Sequence, residues 1–238
     1  MSSWFPSGNI YLLLLSGGTG SRMRSELPKQ FLELNGKPIL IHSLQTLIDW
    51  GKTKSIVIVS HKDYILRSET LCSPYLRERD RIVEGGDTRH GSTLAGISSI
   101  QFSANDIILI HDAARPFVSP DDLDRLSSAT EKFGVATLAS KNHETVLEEV
   151  KDGLKFLNRD KIWFMKTPQG IRGDILKEIL EKPSTVEPTD LCTWAQEQGI
   201  GSRLVESNPY NLKITEKSDL SLAEAIQPLF QNWKNEII

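Results

Sequence analysis

The chain is poor in cysteine, in aromatic residues, in long apolar runs and in any surplus of one charge. Its 238 residues include only two cysteines, Cys72 and Cys192, far apart and in no metal-ligand spacing. That excludes a disulfide-stapled scaffold and a cysteine zinc site, and it fits a reducing compartment. No stretch approaches the roughly 18–20 apolar residues of a membrane-spanning helix. The early run Ile10–Leu15 is too short, and no basic segment precedes it. No signal peptide is therefore expected, and the expected location is the cytoplasm. Lys and Arg total 28 against 31 Asp and Glu, a net charge of −3. So even a balance argues against a general nucleic-acid or membrane-surface binder, while leaving room for a local basic pocket.

What is present is core material. Hydrophobic residues make up 39% and charged residues 25%, which suits an α/β globule and neither a disordered nor a fibrous chain. Strand-length apolar runs are expected at Ile10–Leu15, Ser55–Ser60, Arg81–Val83, Asp106–His111, Val135–Ala139, Ser202–Val205 and Leu212–Thr215. Helical patterns lie between them, around 38–50, 62–71, 91–101, 120–132, 172–182, 190–198 and 218–227. Strand and helix in alternation predict a three-layer α/β fold, a mostly parallel sheet with helices on both faces. Ile107-Ile108-Leu109-Ile110 is apolar on both faces, as an interior parallel strand requires. Such sheets bind ligands at the carboxyl ends of their strands, so the loops after strands are where chemistry is expected. No linker or repeat interrupts the chain, and residues 1–238 are read as a single domain; residues 228–238 are read as a weak tail.

One segment breaks the alternation. Between about 140 and 160, Lys151-Asp152-Gly153 is a turn signal joining two β-compatible runs. It predicts a projecting β-hairpin arm. A lone hairpin is marginal in water, so the arm is expected to pack on another subunit and make a homodimer.

The first loop reads Ser16-Gly17-Gly18-Thr19-Gly20-Ser21-Arg22-Met23. Three glycines in four residues allow successive backbone N–H groups to face a common centre, an anion nest for phosphates. Two familiar phosphate motifs fail here. The dinucleotide pattern needs glycine where Met23 stands, and a P-loop ending at Gly51-Lys52-Thr53 needs glycine where Thr46 stands. Arg22 and Pro28-Lys29-Gln30 follow the nest and place two cations beside it, as a polyphosphate requires. The plainer alternative is a glycine turn with solvated Arg and Lys.

These residues resemble the signature of nucleotidyltransferases that activate sugar and polyol phosphates. The Lys-Gln form is similar to the cytidylyltransferase branch, the family of 2-C-methyl-D-erythritol 4-phosphate cytidylyltransferases with their ribitol-5-phosphate relatives. The resemblance runs from about residue 10 to residue 226 and rests on five motifs. It implies a Rossmann-like nucleotidyltransferase domain that transfers CMP from CTP to a polyol phosphate, with Mg²⁺ as cofactor. Gly85-Gly86-Asp87-Thr88-Arg89-His90-Gly91-Ser92, otherwise an ordinary capped helix start, implies cytosine and ribose contacts at Gly86, Asp87 and Ser92. His111-Asp112-Ala113-Ala114-Arg115-Pro116 ends the most apolar strand. An acid there suits Mg²⁺, which takes one or two carboxylates plus phosphate oxygens, and Arg115 suits a phosphate clamp. A structural Asp–Arg pair is the plainer reading, and His111 is read as structural.

The resemblance further implies Ala113 and Thr167, of Thr167-Pro168-Gln169, as nucleotide-pocket residues. It implies Thr145 and Arg159 as arm residues brought to the neighbouring subunit's acceptor phosphate. In Asn211-Leu212-Lys213-Ile214-Thr215, Lys213 alternates with two apolar neighbours and so faces away from them; the resemblance aims it into the cleft. Thr189 and Asp190 are read as helix-capping residues. Three departures from the methylerythritol pattern leave the acceptor open: Glu144 for Asp and Leu147 for Lys on the arm, and Lys166 for Gln before Thr167. The expected mechanism needs no general base. Arg22 and Lys29 neutralise the α-phosphate and the leaving pyrophosphate, Asp112 holds Mg²⁺, and Lys213, Arg115, Thr145 and Arg159 position the acceptor. A nicotinamide dehydrogenase would require the glycine fingerprint that Met23 breaks. A non-catalytic nucleotide-binding regulator would keep the cradle but could dispense with Lys29 and Lys213.

Overall fold

Strict alternation in β1 (Ile10–Ser16) sends Leu12 and Leu14 to one face of the sheet and Leu13 and Leu15 to the other, all buried. β6 (Ile107–Asp112) repeats the pattern, with Ile107 and Leu109 on the first face and Ile108 and Ile110 on the second. The computed structural model describes residues 6–18, 23, 27–182 and 187–237. Two short strands follow β1: β2 (Glu33–Leu34) and β3 (Lys37–Pro38). Then come α1 (Ile39–Asp49), β4 (Thr53–Ser60), α2 (Ile65–Cys72), β5 (Arg81–Glu84) and α3 (Arg89–Ser98), before β6. After β6 come α4 (Pro120–Phe133), β7 (Val135–Lys141), β8 (Val146–Val150), β9 (Gly153–Leu157), β10 (Trp163–Arg172), α5 (Gly173–Leu180), α6 (Leu191–Glu197), β11 (Arg203–Glu206) and α7 (Lys217–Ile237).

The main sheet has seven strands in the order β11-β7-β10-β6-β1-β4-β5. All pairs are parallel except those of β10, which runs antiparallel to both β6 and β7. Order reverses between β1 and β6: the chain runs outward through β4 and β5, then returns to the other side of β1. That is the switch point where a crevice opens beyond the strand ends. One apolar layer packs α1 and α4 against the sheet, and the opposite layer packs α3, α5 and α6. Cys72 and Cys192 are buried and free, and burial pushes their thiols up, to about 12 and about 11.

Six expected strands are present with boundaries shifted by up to two residues; two expectations fail, and one strand had not been expected. Leu212–Thr215 is not a strand. It is extended chain tied to the body by Ile214 N–H donating to the Ala114 carbonyl at 2.9 Å. β10 is absent from the expected strands; it carries Thr167-Pro168-Gln169, the Thr167–Pro168 bond is cis, and pairing shifts register between Met165 and Gln169. The supposed tail after 227 is the second half of α7. Phe230 and Trp233 stack at 6.0 Å, and Phe230 packs on Phe117 at 5.3 Å. Pro228 suggests a helix end because it removes a donor to the carbonyl four residues back. That carbonyl, Glu224 O, accepts instead from the Asn35 side chain at 3.4 Å. Asn35 has φ 48° and Gly36 φ 78°, the turn between β2 and β3, which brings the amide across.

The arm is present. β8 and β9 pair only with each other, in register from Val146–Leu157 to Val150–Gly153, around Lys151-Asp152. Leu147, Leu154 and Phe156 share one exposed face, while Glu148 and Lys155 pair on the other at 3.0 Å.

Candidate active site

A cavity of about 400 Å³ opens at the switch point, beyond the carboxyl ends of β1 and β6. The β1 side supplies Ser16, Gly17 and Gly18, and the 3₁₀ turn Lys29–Phe31 supplies Lys29 and Gln30. The buried Gln30 amide donates to the Ser16 carbonyl at 2.7 Å and the Gly18 carbonyl at 3.0 Å. It therefore stitches the start of the glycine loop to the segment that carries Lys29. Thr19, Gly20, Ser21 and Arg22, the remainder of the expected cradle, lie outside the described residues.

The opposite wall is the start of α3. Gly86, Asp87, Thr88, Arg89 and Ser92 line it. A Cβ on Gly86 would sit 2.8 Å from the Gly91 carbonyl carbon, so only glycine fits this turn. Thr88 caps α3 by accepting from Gly91 N–H at 3.0 Å. The Ser92 hydroxyl donates to the Gly86 carbonyl at 3.1 Å, which fixes the turn from inside.

The floor is the end of β6. Asp112, Ala113 and Ala114 line the cavity, and Lys213 and Thr215 face them from the extended segment before α7. The alternation argued from sequence holds there without a strand: Ile214 is buried against Phe117 and Phe230, and Lys213 turns the other way. Lys213 Nζ lies 2.6 Å from Asp112 Oδ2, and Arg89 Nη2 lies 3.1 Å from Asp112 Oδ1. Burial by itself would push the Asp112 carboxyl up. The charges of Arg89 and Lys213, the Lys213 hydrogen bond and the more distant Arg115 outweigh it and hold the group well below the usual carboxylate range. The plainer reading, an Asp112–Arg115 pair, is thus replaced: the partners of Asp112 are Arg89 and Lys213.

Behind the floor is a hydrogen-bond chain whose proton order follows from its ends. His111 Nε2 faces the Arg115 carbonyl at 3.1 Å, which only accepts, so Nε2 carries the proton. Nδ1 then accepts from the Thr167 hydroxyl at 3.0 Å, and Thr167 Oγ1 accepts in turn from Asp112 N–H at 3.0 Å. His111 is fully buried. Burial pushes it down to about 4, more than the Asp112 charge and the Arg115 carbonyl raise it, so the ring is neutral at pH 7. Thr167 is buried and does not line the cavity; its hydroxyl orders the end of β6. Arg115 lies behind the cavity too. Its Nη1 donates to the Asn211 carbonyl at 3.3 Å, which also accepts from Lys166 Nζ at 2.8 Å, and its buried Nε has no hydrogen-bond partner among the described residues.

Ten of the expected residues therefore share one cavity: Ser16, Gly17, Gly18, Lys29, Gly86, Asp87, Ser92, Asp112, Ala113 and Lys213. Arg115 and Thr167 stand behind it. Thr145 and Arg159 do not join it; both are exposed at the base of the arm, and Arg159 Nη1 donates to the His143 carbonyl at 3.3 Å. Lys52, of the failed P-loop match, pairs with Asp124 at 2.7 Å, away from the cavity. Asp190 caps α6 through a reciprocal pair of bonds with Thr193, as expected.

The family model for 2-C-methyl-D-erythritol 4-phosphate cytidylyltransferase matches residues 10–228, from the first residue of β1 into α7. The chain belongs to this family. It is 57% identical to the 2-C-methyl-D-erythritol 4-phosphate cytidylyltransferase of Leptospira interrogans, over all of both chains. A solved structure of a 4-diphosphocytidyl-2C-methyl-D-erythritol synthase from Anaerococcus prevotii superposes with a TM-score of 0.81 at 25% identity, covering 93% of this chain and 96% of that one. The family's enzyme from Francisella tularensis gives a TM-score of 0.72 at 30% identity, covering 95% and 99%. Against that background Arg89 is the main residue that sequence reasoning passed over. The resemblance assigns the contacts of the α3 motif to Gly86, Asp87 and Ser92 and none to Arg89. The available signal was its place at the first position of a helix that opens on a ligand loop. Gln30 was quoted as motif; its stitching of the cradle needed the fold.

Proposed function

We propose that the chain transfers CMP from CTP to 2-C-methyl-D-erythritol 4-phosphate, releasing pyrophosphate and forming 4-diphosphocytidyl-2-C-methyl-D-erythritol for isoprenoid synthesis by the non-mevalonate route. The observation that carries this reading is the cavity itself. Within a chain matched by the family model over residues 10–228, Lys29 and Lys213 face one hollow beside Gly17 and Gly18. The whole chain acts as one nucleotidyltransferase domain, in the cytoplasm, where its two buried thiols stay reduced.

The reaction forms a bond between an acceptor phosphate oxygen and the α-phosphorus of CTP and breaks the bond to the bridging β-phosphate oxygen. The nucleophile is already ionised, since the second phosphate pKa is about 6, so no side chain need take a proton. The barrier is electrostatic: two polyanions repel by several kcal/mol at an effective dielectric constant of ~20. Lys29 and Arg22 offset charge on the α-phosphate and the leaving pyrophosphate, and the Gly17–Gly18 turn begins the backbone nest for them. Gly86, Asp87, Ser92 and Ala113 form the nucleoside side. Lys213 holds the acceptor phosphate, with Arg115, Thr167 and His111 behind the cavity fixing the strand end beneath it.

Magnesium fits this site as a substrate-borne ion. Among the described residues no cluster of three or more His, Cys, Asp or Glu forms a metal cage. Asp112 and Asp87 are the carboxylates lining the cavity, and Mg²⁺ completes a sparse protein shell with phosphate oxygens and water. Asp112 would hold it; when bound, the ion supplies charge neutralisation along the triphosphate.

The acceptor side is completed by a second copy of the chain. The exposed apolar face of Leu147, Leu154 and Phe156, with Phe164 and Met165 beside the arm's base, supports a homodimer in which Thr145 and Arg159 reach the partner's acceptor phosphate. Of the departures that left the acceptor open, Leu147 belongs to that apolar face, and Lys166 faces the Asn211 carbonyl. Neither removes a residue of the cavity. Pyrophosphate release with CTP and Mg²⁺, comparing kcat/KM for 2-C-methyl-D-erythritol 4-phosphate and D-ribitol 5-phosphate, tests the reading. A preference for the methylerythritol substrate is expected, and a preference for ribitol phosphate refutes it.

A further inference from the structure

Asp112 is gripped from both sides by cations from distant parts of the chain. Arg89, at the first turn of α3, brings Nε to 3.2 Å and Nη2 to 3.1 Å of Oδ1. Lys213, just before α7, takes Oδ2 at 2.6 Å. The carboxylate is only 11% exposed. The proposed reaction asks Lys213 to leave this carboxylate for the acceptor phosphate. A buried carboxylate that loses its sole partner is strongly destabilised. A second cation on the other oxygen removes that obstacle, because two charge-assisted bonds stay behind when the ammonium leaves.

Arg89 is built for staying. Its planar fork puts two donors on one oxygen, a hold on Oδ1 that does not depend on Lys213. Its third nitrogen, Nη1, reaches the Thr189 carbonyl at 3.4 Å, in the segment leading into α6. Two separate segments, the end of β6 and the stretch before α6, therefore anchor the guanidinium, whereas among the described residues Lys213 shows a single side-chain bond, to Asp112.

We propose that Arg89 is a positioning residue of the transfer reaction, holding Asp112 in place so that Lys213 is free to move onto the acceptor phosphate. The inference rests on the reading given above. The competing role is direct: Arg89 lines the same cavity and would then be a triphosphate ligand.

The two roles separate by substrate. In the full-length enzyme with CTP and 2-C-methyl-D-erythritol 4-phosphate, Arg89→Gln is expected to lower kcat/KM for the acceptor by about 10–100-fold, the loss typical of a partner that orients a site ligand. The calorimetric Kd for CTP should stay within about threefold, and Arg89→Lys should recover part of the loss. In an Asp112→Asn background, adding Arg89→Gln should cost little more, because the two residues act as one unit. A tenfold weaker CTP Kd with an unchanged acceptor KM makes Arg89 a nucleotide ligand and overturns the proposal. Fully additive losses in the double variant, or wild-type kinetics in Arg89→Gln, overturn it as well. CTP binding reports on the fold of each variant. A wild-type enzyme that turns over neither polyol phosphate defeats the proposed function instead, before any variant is made.

Discussion

The cavity and the arm carry the same kinds of side chain in opposite settings. At the cavity, Asp112, Arg89 and Lys213 form a charged cluster that is largely removed from water and centred on the end of β6. On the arm, Glu148 and Lys155 also pair, at 3.0 Å, but at 49% and 62% exposure, and the apolar residues around them face solvent. One region is finished within a single chain; the other has a face waiting for a surface. On the proposed reading the nucleotide half of the reaction is assembled in each chain, and the acceptor half draws on a neighbour. Substitutions in the two regions should fail in different ways, which makes the division testable.

The largest effect is expected at the cavity. Lys213→Ala should lower kcat by on the order of 10²–10³, the loss seen when one preorganised donor to a developing charge is removed. CTP affinity should hold, because the proposed mechanism assigns Lys213 to the acceptor. Stopped-flow pyrophosphate release and CTP calorimetry measure the two quantities. A variant with near-normal kcat and an intact fold would remove Lys213 from the mechanism.

The next effect belongs to the arm. Phe156→Glu with Leu154→Glu should break the dimer and lower kcat/KM for the acceptor by about 10², as a misplaced substrate-holding group does. CTP binding should be unchanged. Sedimentation and kinetics on the same sample link the two losses. Mixing sharpens the comparison: Arg159→Ala and Lys213→Ala chains, each nearly inactive, should regain about a quarter of the wild-type rate on equal mixing, because half the dimers pair unlike chains and each of those has one complete site. No recovery after exchange would place Arg159 and Lys213 in sites of the same chain.

Much of the cavity was legible in the sequence because its parts sit where local pattern and topology coincide. Gly17 and Gly18 follow an apolar strand, Asp112 ends another, and a parallel sheet presents both loops on the same edge. That Lys213 faces away from Leu212 and Ile214 was legible from their alternation, and its aim into the cleft only from the resemblance; the ladder that alternation implied does not form. The rest depended on long-range contacts that no window of sequence contains. Arg89 meets Asp112 across 23 residues and Lys213 meets it across 101. β10 was hidden because proline inside a strand argues against one. The second half of α7 was hidden because Pro228 reads as a stop, and its orphaned carbonyl finds Asn35 only in the folded chain. The arm was the reverse case, a local motif found at once, with a purpose that no single chain displays.

A third effect separates the regions by pH. His111 is neutral, with its folded pKa pushed down to about 4 by burial. An unfolded histidine titrates near 6.5, so between about 4 and 6.5 the unfolded chain binds a proton that the folded chain does not. Stability therefore rises with pH: the contribution is complete above about 6.5 and falls by about 3 kcal/mol as pH drops to about 4. Asp112, whose pKa is depressed, adds a further loss only below the usual carboxylate range. Urea midpoints should decline more steeply with acid in the wild type than in His111→Asn. Equal slopes would mean that the His111 ring is not held neutral. The arm variants should keep the wild-type slope, because β8 and β9 contain no histidine.

The smallest effect is the sharpest contrast. Lys155→Ala removes an ion pair chemically like Lys213–Asp112, and at similar length, 3.0 Å against 2.6 Å. On an exposed hairpin, water and salt screen the pair and side-chain entropy opposes it, so thermal unfolding should shift by no more than a few tenths of a kcal/mol. In a free chain the turnover of CTP should not change at all. If the dimer instead buries that charged face of β8 and β9, Lys155→Ala will weaken association measurably, because a desolvated partner such as Glu148 left alone is expensive. A dimerisation constant unchanged by Lys155→Ala but lost in Phe156→Glu identifies the Leu147, Leu154 and Phe156 face as the one that meets the neighbour. The opposite pattern would turn the arm over and exchange the faces assigned to solvent and to the partner.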